Sequence, residues 1–369
     1  MSTQFYNLKV SNITRETSDA VSVTFDIPCD LKEQFQFTQG QYLTLRFKLK
    51  NQEVRRAYSM SSIPLDNRTT VTVKQIKDCL VSTHINTAIK VGDEIAVMPP
   101  QGRFFTKLNP DQQKTYYLFG GGSGITPLMS ILKTIVEKEP MSAIFLLYGN
   151  QNENSIIFKE ELAELEKKYA GQLMIEHILS DPIREKPKGF GAFLKRGKIT
   201  WQGEIGLANG TNAGKFLDKN PPRAKDVEYF ICGPGPMMDS IEGVLLGRGI
   251  DKKTIHLERF SSTPTHEQKA GKASSDGITG KVKVHLDGEV LEITVGPSKT
   301  TLDALLDIKK EPPYSCTSGS CSTCMAVVKK GTVKMDACYA LDDDEVEEGY
   351  ILTCQAHPTS PDVEITFDL

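Results

Sequence analysis

The sequence predicts a multidomain chain: an antiparallel β-barrel first, an α/β doubly wound domain second, and a small cysteine-bearing domain last. Three observations predict it. The first hundred residues read as short alternating β segments, strand and helix alternate from Thr115 onward, and five of the eight cysteines fall at or after Cys316. At 369 residues the chain is long enough for two or three domains, each able to bury a core without disulfides. With 39% apolar and 25% charged residues it is an ordinary globular composition, which excludes disorder or a coiled coil. A net charge of −3 argues against nucleic acid as a partner.

The barrel is read from segments at Asn7 to Ile13, Asp19 to Ile27, Tyr42 to Phe47, Val54 to Ser59, Thr70 to Ile76 and Asp93 to Met98, where β-branched and aromatic residues alternate with polar ones. Helical spacing in this part is confined to Ser82 to Lys90. From Tyr116 to Phe119 a short apolar run leads into Gly120-Gly121-Gly122-Ser123-Gly124, followed by a helix over Leu128 to Glu137. A strand over Ser142 to Tyr148, a helix over Glu160 to Tyr169, strands at Leu173 to Leu179 and Glu228 to Cys232, and a helix over Pro236 to Arg248 continue the alternation, which implies a parallel sheet. Between them, Ile183 to Lys198 carries six basic residues, read as a solvated excursion or as a phosphate or partner contact. Residues 261–280 are rich in Ser, Thr, Pro, Gly, Lys and Ala and read as a linker. Beyond it, Lys281 to Leu286 and Val290 to Val295 flank Asp287-Gly288, a hairpin signal. A short helix over Thr301 to Lys309 and strands at Met325 to Val328 and Val363 to Phe367 complete the pass.

The start of the chain shows no basic segment followed by an apolar run, and no stretch approaches the roughly 18 apolar residues of a membrane span, so the expected location is the cytoplasm, away from membranes. Thiols stay reduced there, so clustered cysteines point to metal or redox chemistry. Cys316, Cys321 and Cys324 form C-x4-C-x2-C, and Cys354 follows after 29 residues. This is the plant-type [2Fe–2S] spacing. Four thiolates must surround two irons, and a loop of small residues, with Gly319 free to take positive φ, can bend tightly and aim amides at sulfur. A zinc ribbon is the competing reading, but it tends to use two C-x2-C pairs where only one exists here. Cys338 is surplus and reads as a small buried hydrophobe.

The segment from Lys281 to Leu369 resembles plant-type ferredoxins, including the Tyr350-Ile351-Leu352-Thr353-Cys354 ending, and the resemblance implies an α+β β-grasp fold. Upstream, Arg56-Ala57-Tyr58-Ser59 resembles the R-x-Y-S motif of the ferredoxin–NAD(P) reductase superfamily, and Gln39-Gly40-Gln41-Tyr42 resembles its P-G-Q-Y. The resemblance implies a flavin held by Gln41, Tyr42, Arg56, Ala57, Tyr58 and Ser59, with Val73 and Lys74 along the ring. A guanidinium suits the pyrophosphate and a tyrosine ring the isoalloxazine. Leu80-Val81-Ser82-Thr83 opens a helix, where amides favour phosphate; FAD is expected, although FMN could also use Arg56. The family often has Gly shortly before this Ser, whereas Asp78-Cys79-Leu80 precede it here.

Gly120-Gly121-Gly122-Ser123-Gly124-Ile125-Thr126-Pro127 follows a strand and opens a helix, the context of a dinucleotide site, without being a G-x-G-x-x-G fingerprint. In the superfamily the equivalent run supports the nicotinamide dinucleotide, which implicates Gly121, Gly122, Gly124 and Thr126. Cys232-Gly233-Pro234-Gly235-Pro236-Met237 resembles C-G-P-x-x-M, which implies Cys232, Gly233 and Pro234 beside the nicotinamide. His256-Leu257-Glu258-Arg259-Phe260 ends the domain as the family's segment does, with Phe260 as a ring over the flavin. Ser59, Cys232 and Glu258 form the implied catalytic set. Tyr148-Gly149-Asn150-Gln151 resembles Y-G-N-R, and Gln151 cannot supply the charge that an Arg offers a 2′-phosphate; Gly206-Leu207 likewise stands where the family often has Gly-Arg. Both tilt the expectation to NADH over NADPH.

The expected domains are an FAD-binding barrel (1–108), an NAD(P)H-binding α/β domain (109–260), a linker (261–280) and a [2Fe–2S] ferredoxin domain (281–369). Their order resembles that of reductase components of oxygenases, with the phenylacetyl-CoA epoxidase and ketosteroid hydroxylase reductase groups as the named matches. The implied activity takes hydride from NAD(P)H onto FAD and passes single electrons through the cluster to an oxygenase. An NAD(P)H reductase serving a different acceptor is the alternative. The acidic run Asp342 to Glu348 reads either as a solvated face or as a docking surface for a basic partner.

Overall fold

The computed structural model describes residues 4–66, 68–185, 197–260 and 278–368. The linker expected over 261–280 falls almost wholly outside these residues, as does 186–196 of the basic run. What is described of that run is a short antiparallel pairing of Arg184–Glu185 with Lys198–Ile199.

The first sheet has six antiparallel strands in the order Gln52–Ser59, Tyr42–Leu49, Glu94–Gln101, Tyr6–Thr17, Ala20–Asp26, Thr69–Lys74. It closes on itself, because Met60 at the end of the first strand bridges to Val71 in the last, and closure removes the exposed edges of an open sheet. Inward residues such as Leu43, Leu45, Val71, Val73 and Val97 fill the interior, and helix Leu80–Thr87 contributes Val81 and Ile85.

The second sheet is wholly parallel, in the order Glu204–Ile205, Leu173–Leu179, Ala143–Asn150, Lys114–Gly121, Asp226–Gly233, Ile255–Arg259. Period-two alternation feeds a core on each face. Tyr116 and Leu118 pack with helix Ile125–Lys138 on one side, while Tyr117 and Phe119 pack with helices Gly210–Lys219 and Gly235–Gly247 on the other. The chain order reverses between Lys114–Gly121 and Asp226–Gly233, so their carboxyl ends frame the crevice where such sheets bind ligands.

The third sheet is mixed: Glu289–Val295, Gly280–Leu286, Asp362–Thr366, Met325–Lys330, Tyr350–Leu352, with only the second and third strands parallel to each other. Helix Thr301–Asp307 packs on it through Ala304 and Leu305. At the expected hairpin, Asp287 and Gly288 both have positive φ, 51° and 78°, as a two-residue primed turn requires. Short strands at Val333–Met335, Tyr350–Leu352, Ala356–Pro358 and Ile255–Arg259, and a helix at Asp343–Glu347, go beyond the elements expected from sequence. All of these are three to five residues long, too short for periodicity to declare itself.

Candidate active site and cluster loop

A cleft of about 430 Å³ lies where the three sheets meet. Its walls carry Tyr42, Arg56, Ala57, Tyr58, Ser59 and Lys74 from the barrel, Leu80, Val81 and Ser82 from the helix start, and Thr126, Glu258 and Phe260 from the α/β domain. Cys316 and Cys321 line the same cleft. A larger, more open groove of about 1010 Å³, bordered by Phe25, Lys32 and Arg68, holds none of the motif residues.

The cleft suits a dinucleotide flavin. Among the described residues no side chain caps the N-terminus of helix Leu80–Thr87, so its first-turn amides are open to an anion, and Arg56 lines the same space. The Ser82 hydroxyl is engaged locally, accepting from Ile76 N–H at 3.0 Å, which leaves anion binding here to backbone. Within Asp78-Cys79-Leu80, the segment before Ser82 that lacks the family's frequent Gly, Asp78 takes φ +64°, a left-handed conformation that Asp tolerates better than most residues. Burial raises the Tyr58 phenol well above its ordinary value, keeping it neutral. Gln41 is tied into the barrel: its side chain donates to Gly102 C=O at 3.2 Å and accepts from Thr38 N–H at 2.9 Å. Val73 is fully buried beneath the cleft, and Thr83 sits one residue past its wall.

On the cleft floor Ser59 Oγ donates to Glu258 Oε2 at 2.9 Å. Glu258 still presents some surface to the cleft, yet protein atoms enclose its carboxyl, and this desolvation pushes its pKa up to about 8 against the pull of the Ser59 bond. Parallel pairing sets Cys232 beside Glu258. Cys232 is fully buried rather than on the wall, and burial, aided by Glu258, raises its thiol far above the usual range. It therefore packs at the strand end as an uncharged surface.

The glycine run is tightly fitted to this strand end. A Cβ on Gly124 would come within 2.0 Å of the Cys232 carbonyl oxygen, and one on Gly121 within 2.6 Å of Met237 Sδ, so Gly121 and Gly124 hold the loop against Gly233 and Pro234, while Gly122 between them takes φ +53°. Thr126 Oγ1 donates to Ser123 C=O at 3.0 Å, with both residues on the cleft wall. The N-terminus of helix Ile125–Lys138 has no side-chain cap among the described residues. These features leave amides and small residues facing the crevice, as a nicotinamide dinucleotide requires. Gln151 is exposed at the end of the neighbouring strand Ala143–Asn150, outside the cleft.

The cysteine loop also fits its expected group. Cys316, Cys321, Cys324 and Cys354 are all buried, with thiol contacts from Cys316 to Cys321 and Cys354 and from Cys354 to Cys324. Hydrogen bonds from Cys321 and Cys354 hold Cys316 well below the usual thiol range. Ser318 N–H points at Cys316 Sγ at 3.4 Å, and Gln355 Nε2 lies 3.6 Å from Cys354 Sγ. Ser315 Oγ is buried and has no hydrogen-bond partner among the described residues, which leaves a donor beside the loop for a cluster to use. Gly319 takes φ +76°, and a Cβ there would meet the Ala337 carbonyl oxygen at 2.6 Å. Among the described residues no His, Cys, Asp or Glu group is arranged for a single metal ion, whereas a [2Fe–2S] centre spreads its four thiolates over two irons. Cys338 is half-buried and packs with Leu302 and Leu352.

Sequence reasoning missed the contacts that join the ferredoxin unit to the rest. Tyr42 OH and Thr323 Oγ1 are 2.8 Å apart, and Tyr42 packs with Cys316, Cys321 and Ala57. The acidic run is neither free nor open to a partner along its whole length: Asp343 pairs with Lys252, Asp344 with Lys253 at 3.3 Å, and Glu345 with Arg103. Charge complementarity between Lys252-Lys253 and Asp342-Asp343-Asp344 was visible, but no local pattern assigned one to the other.

Comparisons with known proteins agree with this geometry. Models of the oxidoreductase FAD-binding domain, the oxidoreductase NAD-binding domain and the 2Fe-2S iron-sulfur cluster binding domain match residues 7–106, 118–243 and 284–359. The chain is 37% identical over 367 residues to one of the subunits of 1,2-phenylacetyl-CoA epoxidase from Escherichia coli, covering 99% of this chain and 98% of that one. It is 34% identical to the 3-ketosteroid-9-alpha-monooxygenase ferredoxin reductase component of Rhodococcus rhodochrous, covering 98% and 96%. Its fold matches the solved phthalate dioxygenase reductase at TM-score 0.58 and 21% identity, over 98% of each chain.

Proposed function

The chain belongs to the family of FAD-, NAD- and [2Fe–2S]-binding oxidoreductases in which the matched 1,2-phenylacetyl-CoA epoxidase component also falls, and from that premise we propose that it is the electron-supplying reductase of an oxygenase. Residues 1–108 are assigned to the flavin, 109–260 to the nicotinamide and 281–369 to the cluster, with 261–280 joining the last two. The single observation that carries the reading is the shared cleft, whose walls hold both the flavin-motif residues and two of the cluster's cysteines.

Bound FAD accepts hydride as an electron pair and releases electrons singly, the chemistry needed ahead of a one-electron cluster. Arg56 and the open amides of helix Leu80–Thr87 would hold its pyrophosphate, and Tyr42 and Tyr58 would offer their rings to the isoalloxazine. Ser59 and Glu258 present a hydrogen-bonded pair to the reacting edge, with Glu258 carrying its proton at neutral pH. Phe260, 41% exposed on the cleft wall, would supply an aromatic cover for the flavin that gives way to nicotinamide. Gly121 to Gly124 and Thr126 let the dinucleotide approach backbone, and Gln151 favours NADH by leaving a 2′-phosphate without a partner. Cys316, Cys321, Cys324 and Cys354 hold the irons. We place the protein in the cytoplasm; no described helix is long and apolar enough to cross a membrane.

The test is anaerobic single turnover with the Cys321→Ser variant. NADH should bleach the flavin at the wild-type rate and pass nothing to an acceptor protein that takes electrons from the cluster. Undiminished acceptor reduction would overturn the route.

A further inference from the structure

Two consecutive arginines on the strand Gln52–Ser59 serve different neighbours. Arg56 lies on the cleft wall, whereas Arg55 projects to the other face of the strand, where its side chain is only 2% exposed. Its guanidinium carbon stands 4.1 Å from the ring centroid of Tyr314 and 5.0 Å from that of Phe5. Nε donates to Glu53 Oε1 at 2.9 Å, and Nη2 reaches Glu311 Oε2 at 3.4 Å. Tyr314 and Glu311 belong to the segment that leads directly into Cys316, so one guanidinium ties the flavin strand to the lead-in of the cluster loop.

Burying a guanidinium costs desolvation, and simple adhesion between these surfaces would be served as well by an apolar side chain of similar volume. What the planar fork adds is direction: a ring on its face and carboxylates at its edge fix the Tyr314 segment in both distance and orientation. The fixed segment is the one that brings Cys316 to the cleft wall.

We propose that Arg55 is a positioning residue for electron transfer, holding the Glu311–Cys316 segment against the flavin strand so that the cluster stays beside the flavin cleft. This rests on the function proposed above, in which one NAD(P)H supplies two electrons as hydride and the cluster takes them one at a time. Arg55 moves no proton and touches no substrate.

The test uses full-length holoprotein with flavin and iron contents verified, comparing Arg55→Ala, Tyr314→Leu and Tyr314→Phe with wild type after anaerobic mixing with NADH. Flavin bleaching should keep its wild-type rate in all three. Cluster bleaching should slow severalfold in Arg55→Ala and Tyr314→Leu, and hold its rate in Tyr314→Phe, which keeps the ring. Amide exchange over 311–316 should rise in the first two variants alone, a readout independent of turnover. If Arg55→Ala does not fold, the contrast between Tyr314→Leu and Tyr314→Phe decides. Cluster bleaching at the wild-type rate in Tyr314→Leu, or an equal slowing of flavin bleaching, overturns the positioning role. Absence of cluster bleaching in wild type overturns the functional reading beneath it.

Discussion

The phenolic oxygen of Tyr42 lies 2.8 Å from Oγ1 of Thr323, joining residues 281 positions apart across the line where the barrel meets the cluster loop. Both groups are buried, and Thr323 is also in contact with Cys321 Sγ at 3.4 Å. A buried hydroxyl deprived of its partner pays a desolvation penalty with no return. Tyr42→Phe is therefore expected to destabilise the protein by about 1–3 kcal/mol, read as a lower urea midpoint. The visible circular dichroism of the cluster should shift as well, since the lost bond is one side chain away from a ligand sulfur. An unchanged midpoint would mean that water replaces the phenol at no cost.

Cys338 and Cys324 are packed in the same small core with Leu302, Leu341 and Leu352, but only Cys324 belongs to the mutually contacting thiol set. Cys338→Ala should retain a full complement of iron and an unaltered visible spectrum, at a stability cost of about 1 kcal/mol for a lost small hydrophobe. Cys324→Ser should lose most of its iron. Iron analysis of the two purified variants checks both, and iron loss in Cys338→Ala would move that residue into the ligand shell.

The contrast between those cysteines shows how legibility divides in this chain. Cys316, Cys321 and Cys324 are close in sequence, so their spacing states their chemistry, as Arg56-Ala57-Tyr58-Ser59 does for the flavin. Helix Asp343–Glu347 was also within reach, because Asp342 and Glu345 form a capping box at the standard spacing. The partnership of Arg55 with Tyr314 was not. It joins residues from different domains, and neither side has a local pattern that the contact imposes. Cys232 illustrates a third case, in which motif resemblance names the neighbourhood while complete burial, despite its pairing with the wall residue Glu258, keeps the thiol off the cleft wall.

Glu258 gives a pH prediction whose sign follows from its environment. Burial raises the carboxyl from its ordinary 4.5 to about 8, so between these values the folded chain keeps a proton that the unfolded chain has released. The unfolded state then binds fewer protons, and stability falls as pH rises through that window, levelling off above it. Glu258→Gln keeps the shape and the bond to Ser59 without titrating. Urea midpoints measured from about pH 5 to pH 9 should show the variant gaining on wild type up to about pH 8 and holding a constant lead beyond. Parallel pH curves would place the Glu258 titration near its ordinary value.

The proposed preference for NADH rests on two exposed positions at the carboxyl ends of strands that flank Leu173–Leu179 on either side. Gln151 follows strand Ala143–Asn150, and Leu207, 64% exposed, follows Glu204–Ile205. The two ends are close, since a Cβ on Gly149 would fall 2.6 Å from that of Ala208. Neither side chain carries a charge, so a 2′-phosphate brought here would lose part of its hydration and gain no cation in return. Placing arginines at both sites supplies a bidentate, permanently charged partner, and hydrogen bonds to charged groups contribute about 1.5–3 kcal/mol. The double variant Gln151→Arg, Leu207→Arg should therefore raise kcat/KM for NADPH by at least about tenfold, with the gain in KM and little change in kcat, because the phosphate is bound equally before and during hydride transfer. The value for NADH should stay near wild type. A wild-type protein that already prefers NADPH would refute the assignment of these two residues, and would direct attention to the basic segment that begins at Arg184.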